Sequence, residues 1–154
     1  MAFDQPSLKG RALRLLSGRE HSRVELERKL RPFEEEPGSL ALALDDLQVK
    51  GFISEQRVIE SVVNRRASKL GVGRIRQELQ AKGLDPEKVA DAVAELRTTE
   101  EARAHAVWRK KFAAPAEDST AAARQMRFLA ARGFSGDVIR RVIKGASDEG
   151  IWAS

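Results

Sequence analysis

The sequence contains no cysteine and no tyrosine, and aromatic residues make up only 5% of its 154 positions. Because cysteine is absent, disulfides, thiolate nucleophiles and cysteine-ligated metals are excluded. A chain without disulfides fits the reducing cytoplasm, where we expect this protein to act. No apolar run reaches the roughly eighteen residues of a membrane span, and no basic segment followed by an apolar one opens the chain. We therefore predict no membrane partner and no export signal.

Candidate catalytic residues are also scarce. His21 and His105 are the only histidines, and neither stands in a motif with metal-ligand spacing. The acidic residues fall at helix starts or at helical spacing from cations, and no acid, base and nucleophile converge. We predict that the protein is not an enzyme and that it binds no metal and no cofactor.

The abundant residues predict a helical protein. Hydrophobic residues make up 42% of the chain and charged residues 33%, with alanine, leucine, arginine and glutamate prominent. This balance is typical of a folded all-α protein and not of a β-sheet protein or a disordered chain. A chain of this length can bury roughly two thirds of the surface that it exposes when unfolded, so composition does not require a division into domains.

One phrase, Leu-x-x-(Lys/Arg)-Gly-apolar, occurs three times, at residues 47–52, 79–84 and 129–134. It is typical of a helix end, where a buried leucine is followed by a cation near the exposed carbonyls and by a left-handed glycine. A residue able to cap a new helix follows each glycine, with apolar residues four and eight positions later. The caps are Ser54, Asp85 and Ser135, and the apolar pairs are Val58 and Val62, Val89 and Val93, and Ile139 and Ile143.

The same phrase indicates an internal repeat. Residues 25–29 (ELERK) also resemble residues 78–82 (ELQAK), although no glycine follows them. If Leu26, Leu79 and Leu129 are equivalent, the spacings are 53 and 50 residues, which is in the range of helical repeats. We predict an all-α fold of about three tandem three-helix repeats, whose first helix begins at Arg11. The predicted boundaries are a lead-in at 1–10, repeats at 11–53, 54–97 and 98–145, and a tail at 146–154 in which Ile151 and Trp152 could dock on the fold.

The positive charge is unevenly distributed. The net charge is +5, and residues 101–154 carry ten basic against six acidic residues, with a second basic excess between Arg57 and Lys82. Such a surface favours an anionic polymer or an acidic protein groove, although each cluster alone also fits a solvated helix face. No aromatic residue is interleaved with these cations, which argues against base stacking on single strands. The candidate contact residues are Arg65, Arg66, Lys69, Arg74, Arg76, Lys110, Lys111 and Arg132.

The segment Gly71-Val72-Gly73-Arg74 allows three interpretations. It could be a phosphate-binding glycine loop, but it lacks the preceding strand and the remaining glycines of that motif. It could be the hairpin of a DNA-binding module whose backbone amides face a phosphate at a helix start. It could also be a helix stop and restart that lets two helices pack closely, which is the interpretation we favour.

The aromatic residues are expected in the interior. We predict that they lie in the core at repeat junctions and do not form a contact surface. They are Phe52, Trp108, Phe112, Phe128 and Phe134.

Three passages of the chain resemble the RecX family of RecA-recombinase regulators. They are residues 19–30 (REHSRVELERKL), residues 51–52 with 65–66 and 71–83 (GVGRIRQELQAKG), and residues 128–135 (FLAARGFS). Their order and spacing together are specific and cover nearly the whole chain. The family pattern after the first phrase has an acidic residue where this chain has Ser54, which keeps a helix cap and removes a charge.

The resemblance implies tandem three-helix repeats in an elongated, curved monomer that lies in the helical groove of the RecA filament on DNA. It implies a regulator that mostly inhibits RecA, slowing ATP hydrolysis and strand exchange and opposing filament growth, with effects on recombination and the damage response. The implied partners are the RecA filament and DNA, single- or double-stranded, without sequence preference. The alternative is a sequence-independent DNA-binding protein that uses the same cations and the hairpin at Gly71.

Overall fold

The computed structural model describes residues 5–147, and this part of the chain is helical, without strands. The all-α prediction is therefore confirmed. The α-helices are α1 (Leu8–Gly18), α2 (Arg23–Leu30), α3 (Ser39–Val49), α4 (Glu55–Arg66), α5 (Val72–Ala81), α6 (Pro86–Arg97), α7 (Glu100–Lys111), α8 (Ser119–Ala131) and α9 (Gly136–Ser147). A short 3-10 helix, Arg31–Phe33, extends α2 up to the acidic turn at residues 34–38. The predicted docking residues Ile151 and Trp152 lie outside the described residues.

The first helix begins at Leu8, three residues before the predicted start. Ser7 is its N-cap, because the Gly10 amide donates to the Ser7 hydroxyl oxygen at 2.9 Å. Part of the predicted lead-in is therefore helical. The sequence pattern missed this turn because its residues, Leu8-Lys9-Gly10, carry a glycine and only one apolar side chain.

The repeated phrase ends helices as predicted. Gly51, Gly83 and Gly133 have φ angles of 84°, 68° and 90°, which side-chain-bearing residues rarely adopt. The Phe52 amide donates to the Leu47 carbonyl at 2.9 Å, closing the last turn of α3. Because the glycine reverses the chain within two residues, the next helix starts close to the end of the previous one.

The helices form three units, each with its own hydrophobic core. Unit 1 comprises α1–α3, unit 2 comprises α4–α6 and unit 3 comprises α7–α9. The most deeply buried residues are Leu26 and Leu44 in unit 1, Ile75, Leu79 and Val62 in unit 2, and Leu129 and Val142 in unit 3. Each core needs all three of its helices, because a single amphipathic helix cannot bury its own apolar stripe.

The register between units 1 and 2 differs from the predicted one. Leu26 is the fourth residue after the N-cap Ser22, a position that Ile75 occupies after the N-cap Gly71. Leu79, which we had matched with Leu26, corresponds to the eighth position, so the first spacing is 49 residues and not 53. The Glu-Leu pair at both sites suggested the wrong match, whereas the helix starts set the register.

Both unit boundaries use the same docking arrangement. The start of α2 lies against the glycine turn that ends α5, and a Cβ on Gly83 would lie 2.3 Å from Val24 Cγ2. The start of α5 lies in the same way against the turn that ends α8, where the Gly73 amide donates to the Gly133 carbonyl at 2.9 Å. Gly83 and Gly133 therefore each have two roles. Each ends a helix, and each packs against the start of a helix in the preceding unit.

Candidate anion-binding groove

Five of the eight predicted contact residues line one groove at the boundary of units 2 and 3. The groove has a volume of about 570 Å³ and lies among the segment after α4, the start of α5 and the ends of α7 and α8. The five residues are Lys69, Arg74, Lys110, Lys111 and Arg132. They are called the groove cations below.

The groove carries an uncompensated positive charge. Its other lining residues are Ser68, Leu70, Val107, Phe128 and Ala131, so no carboxylate lies among them. Within residues 5–147, none of the groove cations forms an ion pair. Like charges held this close repel one another, and an anion entering the groove relieves that repulsion.

An aromatic ring organises one side of the groove. The Arg132 guanidinium carbon lies 3.6 Å from the centroid of the Phe128 ring, and Lys111 Nζ lies 5.8 Å from the same centroid. Phe112 meets that ring edge to face, with centroids 5.3 Å apart. The prediction that no aromatic residue lies among the cations is therefore wrong. Phe128 precedes Arg132 by one helical turn, and the packing of α7 against α8 brings Lys111 to the same ring.

Arg74 is held by the neighbouring unit. Its Nη1 donates to the Ala131 carbonyl at 2.8 Å, and the space beside Gly133 is filled by the Arg74 stem, since a Cβ there would lie 2.4 Å from Arg74 Cγ. Arg28 makes the matching bond at the other boundary, donating to the Ala81 carbonyl at 3.2 Å. Arg74 therefore stabilises the junction in addition to lining the groove.

Arg65 and Arg66 lie outside the groove and share a carboxylate. Arg66 Nε donates to Glu78 Oε1 at 3.0 Å, and Arg65 Nη2 lies 3.5 Å from Glu78 Oε2. One of the two positive charges is thus neutralised inside unit 2.

Arg76 faces a different concavity. It lies with Arg97 beside the apolar residues Leu84, Val89 and Val93, between α5 and α6. The predicted cations therefore divide among three places: five in the groove, two around Glu78, and Arg76 beside α6.

The glycine segment before α5 packs against backbone. The Gly71 amide donates to the Arg132 carbonyl at 2.8 Å, and a Cβ on Gly71 would lie 2.3 Å from the Phe134 nitrogen. The Val72 amide donates to Glu100 Oε2 at 3.1 Å, and the Gly73 amide is also bonded within the protein. The amides of Gly71, Val72 and Gly73 are all bonded within the protein and both glycines pack against the turn at Gly133, which contradicts the phosphate-binding interpretations and supports the close-packing one.

Two residues that the sequence did not single out join units 2 and 3. Glu100 is only 3% exposed, and its carboxylate accepts from the Val72 amide and from the Ser135 amide and hydroxyl. Arg103 donates to the carbonyls of Ala67 and Leu70 at 2.9 and 2.8 Å, and burial lowers its pKa. In the sequence both looked like ordinary charges in the first turns of α7.

The two histidines lie in different units and serve packing. His21 is buried, with Nδ1 3.0 Å from the Arg19 carbonyl and Nε2 2.9 Å from Lys29 Nζ, and burial lowers its pKa. His105 stacks on Trp108 with ring centroids 5.9 Å apart. No group of three potential metal ligands occurs between residues 5 and 147.

The aromatic predictions are confirmed for Trp108 and Phe134, which are 6% and 4% exposed. Phe112 and Phe128 are only partly buried, beside the core of unit 3. Phe52 contradicts the prediction, because 46% of it is exposed. Phe52 directly follows Gly51 and lies beyond the core of unit 1. The next residue, Ile53, is the one buried in that core.

None of the described helices is long and apolar enough to cross a membrane.

Comparison with known proteins gives one consistent family. The model of the second three-helix domain of RecX matches residues 54–93, and the model of the third three-helix domain of RecX matches residues 99–143. The regulatory protein RecX of Leptothrix cholodnii is 53% identical over 151 residues, covering 97% of this chain and 96% of that protein. The regulatory protein RecX of Herminiimonas arsenicoxydans is 45% identical, with coverages of 96% and 98%.

Solved structures share the fold. The crystal structure of RecX from Lactobacillus salivarius aligns with a TM-score of 0.76 at 22% identity, covering 91% of this chain and 94% of that one. A second crystal structure, of a regulatory protein RecX, aligns with a TM-score of 0.73 at 20% identity, covering 89% and 71%. These likenesses confirm the tandem three-helix repeat architecture.

Proposed function

The chain belongs to the RecX family of regulatory proteins, and on that premise we propose that it binds RecA–DNA filaments and restrains the recombinase. Binding would slow DNA-dependent ATP hydrolysis and strand exchange and oppose filament growth. The restraint requires no catalysis by this chain. In support, the two most deeply buried titratable groups among residues 5–147, His21 and Glu100, both make hydrogen bonds within the protein.

One observation carries the proposal beyond the family relationship. The groove cations come from two units and from segments up to 63 residues apart, yet they gather in a single groove without a carboxylate. A filament that contains DNA is a dense linear array of phosphates. Neutralising those phosphates with lysine and arginine releases counterions, so binding through this groove would weaken steeply as salt increases.

The repeat architecture supports contact with a long partner. The same docking arrangement joins the three units at both boundaries, and a stack of repeats offers a continuous surface to a partner. The groove lies at the second boundary, where the bonds of Gly71, Gly73 and Glu100 hold units 2 and 3 together. The positive charges would therefore meet the filament in a fixed relative arrangement.

The test is RecA ATP hydrolysis on single-stranded DNA, titrated with this protein from well below to equal stoichiometry. The wild type is expected to inhibit at ratios that leave most of the DNA uncovered. A variant with Lys69, Lys110 and Lys111 changed to glutamate is expected to lose most of that inhibition. The matched control changes Arg14, Arg31 and Arg124 to glutamate, which alters the net charge equally at exposed positions outside the groove.

A wild type without effect on RecA would contradict the proposal. Equal loss of inhibition in the control variant would show that net charge matters and the groove does not. The second candidate function, sequence-independent DNA binding, is supported by the same unpaired groove cations but no longer by the segment at Gly71. It predicts binding to naked duplex as tight as binding to the filament.

A further inference from the structure

We propose that the groove binds a single strand of nucleic acid, with one base stacked on the Arg132 guanidinium and the adjoining phosphates held by lysines. The inference rests on the proposed function, because it takes the filament's DNA as the component that this groove meets. Beyond that function, Arg132 is the stacking residue, and the groove distinguishes single strand from duplex.

The stacking platform consists of Arg132 and Phe128. The guanidinium carbon is 3.6 Å from the ring centroid, so the planar group lies against the aromatic ring. Arg132 Nη1 also donates to the Phe128 carbonyl at 3.3 Å, and Phe112 supports the ring from its edge, with planes 82° apart. The guanidinium is thus held in one orientation before any ligand arrives.

Both members of the platform line the groove, so a ligand in the groove can reach them. Unstacked bases of single strands stack on aromatic rings and on arginine planes, irrespective of sequence, because every base has a π-face. A base laid on the outer face of Arg132 would continue the stack that Phe128 begins. No other groove cation has an aromatic partner among the described residues apart from Lys111, whose ammonium group is 5.8 Å from the same ring.

The lysines suit the backbone of such a strand. Lys69 follows α4, whereas Lys110 and Lys111 end α7, so ammonium groups from two units border the platform. All three are exposed and without a carboxylate partner within residues 5–147. As compact, mobile charges, they can follow phosphates along a strand and do not require one fixed geometry.

An acidic peptide fits the groove less well. Tight carboxylate recognition uses the two parallel N–H donors of an arginine fork. Here Arg74 Nη1 is bonded to the Ala131 carbonyl, and the Arg132 guanidinium lies flat on Phe128 and also donates to the Phe128 carbonyl. The stacking surface would contribute nothing to a chain of carboxylates, whereas it matches a base.

The dimensions favour one strand over two. A volume of about 570 Å³ is that of a small-molecule site and accommodates an unstacked nucleotide. A duplex keeps its bases stacked inside and presents only its grooves and phosphates, so it could reach the lysines but not the platform. Single-stranded DNA is therefore expected to bind more tightly than duplex of equal length.

The experiment measures binding of fluorescein-labelled oligothymidine, fifteen nucleotides long, by anisotropy at several salt concentrations. Arg132→Lys keeps the positive charge and removes the planar guanidinium. This variant is expected to bind about fivefold or more weakly, with an unchanged slope of log affinity against log salt concentration, called the salt slope below. The double change of Lys110 and Lys111 to glutamine is expected to reduce the salt slope by about 1.4. Arg127→Lys, on the exposed side of the same helix and outside the groove, is the matched control and is expected to bind like the wild type.

Phe128→Leu removes the supporting ring while keeping an apolar side chain, and is expected to weaken binding in the same direction as Arg132→Lys. The inference is overturned if Arg132→Lys binds like the wild type, if duplex of equal length binds as tightly, or if polyglutamate competes as well as unlabelled oligothymidine. The RecA ATPase titration separates the two proposals. An inhibitory wild type combined with an unaffected Arg132→Lys variant refutes only this inference, whereas a wild type without effect on RecA refutes the proposed function.

Discussion

Glu25 and Lys82 form an ion pair across the boundary between units 1 and 2, with Oε1 and Nζ 3.1 Å apart and each side chain largely buried. The same carboxylate accepts from the Ser22 amide and pairs with Arg19 at 2.7 Å. Glu25 thus completes the capping box of α2 and fastens that helix to the end of α5. The bonds from Arg19, Ser22 and Lys82, opposed by burial, lower the pKa of Glu25 to about 2.

The low pKa of Glu25 predicts a pH-dependent stability. Because the folded pKa lies below the ordinary 4.5, the charged carboxylate stabilises the fold above pH 4.5, and this contribution is lost as the pH falls toward 2. Glu25→Gln keeps the capping geometry and removes the charge. Urea unfolding at pH 7 should show a loss of about 1–2 kcal/mol for this variant. At pH 3 the difference from the wild type should be smaller, whereas Glu35→Gln, in the exposed acidic turn, should change stability at neither pH.

Gly71→Ala is expected to destabilise the protein. The new Cβ would lie 2.3 Å from the Phe134 nitrogen and 2.4 Å from the Gly133 carbonyl carbon, so units 2 and 3 would have to move apart. The expected loss is about 1–3 kcal/mol of unfolding free energy. Gly18→Ala is the comparison, because no atom lies within 4 Å of the added Cβ. A melting temperature for Gly71→Ala equal to that of the wild type would contradict the close packing.

Removal of the Glu100 carboxylate should weaken the same junction. Glu100→Ala leaves the Val72 and Ser135 amides without an acceptor in a buried place, at a cost of about 1–3 kcal/mol. The equivalent residue in unit 2, Glu55, accepts from the Asp85 amide but is more exposed. Glu55→Ala should therefore cost less than about 1 kcal/mol. Thermal unfolding of both variants tests this order, and equal losses would contradict it.

The candidate contact residues are expected to differ in how much each contributes to filament affinity. Changing Arg65 and Arg66 to glutamine removes charges that Glu78 already offsets in part, so filament affinity should fall by less than about threefold. Changing Lys110 and Lys111 to glutamine removes unpaired charges and should have a larger effect, which grows as salt is lowered. Co-sedimentation with RecA filaments at several salt concentrations distinguishes the two. A larger effect of the Arg65 and Arg66 variant would show that the filament contacts this arginine pair and not the groove.

Local signals predicted the helices well. The glycine of each repeated phrase is left-handed, and Ser54, Asp85 and Ser22 cap helices through bonds to amides two or three residues away. Such signals lie within a few residues of one another, so they can be found in the sequence without knowledge of the fold. The register between Leu26 and Ile75 was misjudged because a matching dipeptide is a weaker guide than a helix start.

The groove could not be predicted from the sequence, because its lining residues come together only through contacts between distant segments. The eight candidate cations were identified from local charge, yet only packing placed five of them together and paired Arg65 and Arg66 with Glu78. Phe128 stands four residues before Arg132, a spacing that the sequence shows, whereas its approach to Lys111 required the packing of α7 against α8.

By itself the sequence determined the helical class, the helix ends, the repeat of about fifty residues and the resemblance to the RecX family, since these depend on bonds and patterns within a turn or two. Only the tertiary structure decided that the amide of Gly71 is occupied, that Glu100 is buried between units 2 and 3, and that Lys110 lies in one groove with Arg74. Those outcomes depend on how close backbones from different units approach. That approach is set by packing of the units against one another and not by the neighbours of a residue along the chain.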